Sequence, residues 1–293
     1  MPTHTALPVR QCQSVLNTVH STVYFSPDHD GEMAAFGVHD PMACYLAGRV
    51  AALGPVGPGI VTAAFYSFQH DMISGHLPTL WQRITPAEAT AARTRAADLT
   101  LRRVLGPEAI GSAAMRRAAL LALRATEGGA RYGRPLYAAL ADQPVPKEPH
   151  LALWHAATLL REHRGDSHIG ALTAAGLDGI EALVSHSASD TGMPRDVVMT
   201  KRGWTERDWT AAERRLSERG LLDDDGRLTE EGRTLREDLE HDTDRRDRAP
   251  YEHLGADGVA ELTEIVGEFV AAAAAGGAFP PFLIDLFAPA RRG

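Results

Sequence analysis

Along this chain apolar residues recur every third or fourth position, the spacing that gathers them on one face of a helix. Within Val9–Thr22 the stripe is Val15, Leu16 and Val19. Within Met42–Leu53 it is Cys44, Leu46, Ala47 and Val50, and Gly54-Pro55-Val56-Gly57-Pro58-Gly59 then stops the run. Pro86 to Leu105 predicts a long Ala/Arg helix with proline near its first turn, where the missing N–H costs little. Gly106-Pro107 ends it, and a further helix reaches about Thr126. Ile60–Phe68 is short enough to be a helix or a buried strand. Strict alternation is scarce, so the pattern predicts an all-α fold. Its one small β-hairpin is expected at Leu221–Leu228, turning on Asp225-Gly226.

Pro144, Pro146 and Pro149 interrupt the helical pattern and read as a linker or a long crossing loop. The expected division is a helical domain over 1–145, a winged-helix domain over 150–250, and a C-terminal helix and tail over 251–293 packing back on the core. Charge divides at the same place. Residues 1–150 carry 13 basic and 11 acidic groups, whereas residues 151–293 carry 17 and 27. Over all 293 residues the net charge is −8, opposite in sign to that of a general nucleic-acid or membrane-surface binder. With 44% hydrophobic and 23% charged residues, the composition is that of a folded globular chain. Cys12 and Cys44, the only cysteines, exclude a disulfide framework and an all-cysteine zinc site. The N-terminus lacks a basic region followed by an apolar core, and the longest apolar stretch, near Phe269–Ala275, is far short of a span. A cytoplasmic protein without a membrane partner is expected.

Thr205-Glu206-Arg207-Asp208 opens a helix with a threonine cap and acids in its first turn. Trp209, Ala212 and Leu216 follow on one face, and Gly220 closes it. Next come the acidic hairpin, the cap Thr229-Glu230-Glu231-Gly232, and a helix to about Arg246. Over roughly residues 178–247 this order resembles the end of a MarR-type winged helix-turn-helix domain. The resemblance implies a recognition-type helix at Thr205–Arg219 and a wing at Leu221–Leu228. More broadly, Tyr45-Leu46-Ala47-Gly48-Arg49, Leu53-Gly54-Pro55-Val56, Ala64-Phe65-Tyr66-Ser67-Phe68 and the stretch from Leu153 to His168 resemble a family of two-domain winged-helix proteins common in actinobacteria. That likeness spans almost the full chain and implies no particular activity. Arg207, Arg214 and Arg215 are the residues through which DNA would be met. They alternate with Glu206, Asp208, Glu213 and Glu218, and the wing tip carries Asp223, Asp224 and Asp225 where phosphates would require bases. DNA binding is therefore disfavoured.

The densest polar chemistry lies between Trp154 and His168. A helix over Leu151–His163 places His155 and Glu162 two turns apart on one face. His163, Arg164, Asp166 and His168 then crowd its expected end at Gly165. One reading makes these residues dipole partners and caps. The other makes them, with Arg49, Tyr66 and His70, the lining of a small-molecule site between the domains. His-x-x-x-His spacing is missing, so no metal is assigned, and no cofactor is. The leading expectation is a small-molecule-binding protein of regulatory type, with a homodimer left open. The rival is an enzyme using the winged helix as scaffold, with His155 or His163 as acid–base group or as metal or haem ligand.

Overall fold

The computed structural model describes residues 6–190 and 192–280 of the chain. Among them run α1 (Ala6–Ser21), α2 (Pro27–Ala34), α3 (Pro41–Val50), α4 (Pro58–Phe65), α5 (His70–Arg83), α6 (Pro86–Gly111), α7 (Ala113–Glu127) and α8 (Pro135–Ala141). The second half contributes α9 (Pro149–Ala174), α10 (Gly179–Ser187), α11 (Arg195–Arg202), α12 (Glu206–Glu218), α13 (Glu230–Asp247), α14 (Ala249–Leu254) and α15 (Ala256–Ala275). Prolines and caps explain many of the starts. Proline sits in the first turn of α2, α3, α4, α6, α8, α9 and α14. Thr85 with Glu88, Asp178 with Glu181, and Thr205 with Asp208 form reciprocal capping boxes at α6, α10 and α12. Gly106 breaks α6 with φ of 77°, as its sequence predicts. The undecided segment before Phe68 is the helix α4.

Three large apolar clusters organise these helices. The first joins α1, α6, α7, α9, α14 and α15, and so draws on both sides of the Pro144–Pro149 segment. The second is built from α2 to α6 with Leu136 of α8. The third holds α10 to α13 on the end of α9, through Ala171 and Leu172. Cys12 and Cys44 lie in separate clusters as free thiols, and burial pushes each up to about 11.

Two expectations are corrected here. The expected Leu151–His163 helix does not end at Gly165; α9 continues to Ala174. Its polar C-terminal half resembles a helix end, yet those side chains are buried or bonded across to other helices. Nor does the wing form a β-hairpin. No strand is found among the described residues, and Leu222–Leu228 is a single antiparallel bridge. The Asp223 N–H donates to the Arg227 carbonyl at 2.9 Å, but the returning Arg227 N–H donates to the Asp223 carboxylate at 2.9 Å. The aspartate thus takes the hydrogen bond that would have extended the ladder.

A left-handed Gly203 (φ 77°) ends α11, and α12 follows after a short turn. This pair docks on the α4–α5 connection. The Trp204 indole donates to the Ser67 carbonyl at 2.9 Å, and the Gln69 N–H to the Arg202 carbonyl at 2.9 Å. A Cβ on Gly203 would lie 2.7 Å from that of Met72, so glycine answers both the backbone angle and the close approach.

Candidate functional site

Every residue from His150 to Leu160 of α9 is buried, because this helix is packed on all sides. Polar side chains there need partners inside the protein. Most of the sequence-predicted residues have them. Arg49 and Glu162 meet in a bidentate pair, Nε to Oε1 and Nη2 to Oε2 both at 3.1 Å, with Arg49 only 8% and Glu162 1% exposed. The Arg49 guanidinium also donates to the Tyr45 hydroxyl at 2.7 Å and sits 4.4 Å from the Phe65 ring centroid. Burial would raise the Glu162 carboxyl, but Arg161 and Arg49 together hold it well below the usual carboxylate range.

The other polar residues of α9 reach different elements. His163 bonds Asp247, which also accepts from Gln13 at 2.6 Å. Arg164 spans Asp244 at 2.8 Å and Glu240 at 3.1 Å on α13, and His168 pairs with Thr243 at 2.9 Å. Asp166 does cap a helix, though not the next one. Its carboxylate accepts from the Tyr137 N–H at 3.0 Å, at the start of α8, which precedes it in the chain. Burial raises that carboxyl to about 7. The Tyr66 hydroxyl donates to the Leu177 carbonyl, and His70 is exposed between Thr62 and Ser74.

His155 is different. It is 8% exposed, and neither ring nitrogen has a hydrogen-bond partner among the described residues. Burial and the nearby Arg93 push it down to about 4, so the ring is neutral at physiological pH. It lines a cavity of about 430 Å³ bounded by α3, α6, α8, α9 and the Gln143–Lys147 segment. None of the other predicted residues lines this cavity. Sequence reasoning missed Arg93, Trp154 and Gly48, which do. The absent side chain of Gly48 leaves room for its neighbours: a Cβ there would meet His29 Nε2 at 2.8 Å and Arg93 Cδ at 3.4 Å. The expected linker turns out to be a wall of the cavity. Three prolines so close together predict a linker or a crossing loop but do not say what that loop covers.

Among the described residues no three His, Cys, Asp or Glu side chains gather so as to hold a metal ion. No single helix there is long and apolar enough to cross a membrane. Of the arginines expected to face DNA, Arg215 is tied to Asp178 and Glu181, both at 2.7 Å, and Arg214 pairs with Glu218 at 3.6 Å. Arg207 is exposed.

A family model described as a helix-turn-helix family matches residues 9–280. The chain belongs to this helix-turn-helix family. The match covers both the residues that line the cavity and the α11–α12 pair. Comparison of this helix-turn-helix chain with curated proteins and with solved structures gives no match.

Proposed function

We propose that this chain is a small-molecule-binding protein of regulatory helix-turn-helix type whose ligand occupies the cavity beside His155. One observation carries the reading: a cavity of about 430 Å³ with a buried, unpartnered imidazole on its wall. That volume falls within the roughly 300–1,000 Å³ of ligand pockets. On this reading the sequence up to the Pro144–Pro149 segment chiefly builds the cavity and the part after it carries a MarR-type unit, working in the cytoplasm.

The position of α3 supports a regulatory role. Gly48 lines the cavity and its neighbour Arg49 holds Glu162. One turn earlier, Tyr45 stacks 5.9 Å from Phe68, which also meets the Arg202 guanidinium of α11, 4.0 Å from the ring centroid. A ligand that displaces α3 therefore presses on the surface where the helix-turn-helix docks. Duplex DNA is a poor candidate for the output, given the internal pairing of Arg214 and Arg215.

The test is thermal denaturation of the full chain against a panel of organic acids, amines and neutral aromatics. A parallel series uses Ala91→Trp, which plugs the cavity from its exposed rim. At least one compound should raise Tm of the native protein by several degrees and fail to do so in the plugged variant. Stabilisation by none, or equally in both, would reject the reading.

A further inference from the structure

The cavity has a second polar group without a proper partner, and its charge is fixed. Arg93 of α6 is 6% exposed, and among the described residues no carboxylate lies within ion-pairing distance of its guanidinium. Nε has no hydrogen-bond partner at all. Nη2 reaches the Tyr24 hydroxyl only at 3.5 Å, and the guanidinium carbon lies 4.8 Å from the Trp154 ring centroid. Stacking on an indole offsets part of the desolvation of a guanidinium, but it supplies neither counter-charge nor acceptor. The neighbouring His29 also keeps a buried, unpartnered Nε2, beside the space left by Gly48.

The lining as a whole has the same bias. It includes three cationic side chains, Arg93, Arg95 and Lys147, and no carboxylate. Of these, Arg95 is neutralised by Glu32 at 2.7 Å. Lys147 is exposed on the crossing segment. The rest of the wall is largely apolar, with Trp154, Pro144 and Val145.

We propose that the ligand of this cavity is an organic anion with an apolar body. Its carboxylate, sulfonate or phosphate pairs with Arg93 and accepts a hydrogen bond from His155, and its body lies against Trp154 and the Pro144–Val145 wall. This inference rests on the cavity reading above and narrows it to a chemical class. The missing counter-charge at Arg93 is the reason: a buried arginine without a carboxylate is what an anion-binding site looks like before its anion arrives.

Two dyes of the same skeleton provide the test, anilinonaphthalene sulfonate and its uncharged parent phenylnaphthylamine, titrated by fluorescence into the full chain. The sulfonate should bind the native protein more tightly than the parent, and Ala91→Trp should exclude both. Arg93→Met should weaken the sulfonate by about tenfold or more, the loss of one charge-assisted hydrogen bond. It should leave the parent dye unchanged, and Arg93→Lys should keep most of the sulfonate affinity. Circular dichroism of each variant establishes that it is folded. If Arg93→Met binds the sulfonate as well as the native chain does, or if the native chain prefers the uncharged dye, the anion inference is wrong while the cavity reading stands. If neither dye enters the native cavity, the cavity reading fails and the inference falls with it.

Discussion

Arg49 and Arg93 are both buried arginines facing α9, and they are opposites in their surroundings. Arg49 has a bidentate carboxylate, a tyrosine hydroxyl and a phenylalanine face. Arg93 has an indole, a distant hydroxyl and an orphaned Nε beside an open cavity. Their α9 counterparts, Glu162 and His155, stand two turns apart on one face of a single helix. Burial alone therefore does not mark a site; a saturated pair is architecture, whereas an unsaturated one waits for something from outside.

The largest expected effect is at the saturated end. Arg49→Met should destabilise the protein by about 3–5 kcal/mol in urea denaturation, because it strips a buried carboxylate of its bidentate partner. Arg49→Met with Glu162→Met should recover much of that loss, since a buried pair is often replaceable by apolar groups of similar volume. Arg93→Met, chemically the same change, should move the stability of the unliganded protein by no more than about 1 kcal/mol, because it gives up only stacking and a poor hydrogen bond. Equal losses at the two arginines would erase the distinction.

Protonation should separate the two halves of α9 as well. Asp166 is raised to about 7 in the folded chain, above its ordinary value near 3.8. The folded state thus holds a proton that the unfolded state has released, and the contribution of this group to stability is lost as pH rises from about 4 to 7. His155 is lowered to about 4, below its ordinary 6.5, so its contribution is lost as pH falls from 6.5 toward 4. The two contributions oppose each other between about pH 4 and 6.5, so relative to the native chain Asp166→Asn should gain stability as pH rises and His155→Gln should gain it as pH falls. Each change is bounded by about 1.4 kcal/mol per pH unit. Urea midpoints measured between pH 4 and 8 would show it.

Two smaller effects concern the expected linker and the helix-turn-helix. Lys147 is one of only two lysines, and it lies exposed on the crossing segment, whereas Lys201 is inside α11. A lysine-specific protease should cut after Lys147 first. The fragments should then co-elute on gel filtration, because α9 shares the first apolar cluster with α1 and α7. Fragments that separate and stay folded would instead establish two independent domains. Binding to random duplex at physiological ionic strength should be weak or undetectable. Tight, salt-sensitive binding that is lost in Arg207→Ala would overturn the view of α12.

Most of the helices were legible because each has an apolar stripe, a cap and a breaker in one agreeing frame. The exception, α9, is informative. A helix packed against several others has no clear polar face to define its period, so its buried His163 and Asp166 and the half-buried, bonded Arg164 imitate a helix end and Gly165 a terminator. The hairpin was misjudged because Asp223 competes with the backbone for its own turn. At the site, His155 was visible as a histidine for which neither capping nor a helix end had any use. Arg93 was not, since in an Ala/Arg-rich helix nothing in the sequence separates one buried arginine from its solvated neighbours. Glu162 and Arg49 stand out in the sequence as charges in apolar helices, yet their bonding to each other depends on a contact across 113 positions.

The packing of α1 against α15 bears on how the chain is made. Cys12, Leu16 and Val19 of α1 share a cluster with Leu262, Val266 and Phe269 of α15. A ribosome adding about 5–20 residues per second needs roughly 12–50 s to pass from one to the other. Throughout that interval the apolar face of α1 lacks its C-terminal partner. The nascent protein must therefore hold α1 against α7 and α9 or shield it by other means, and this part of its core closes only once α15 has emerged.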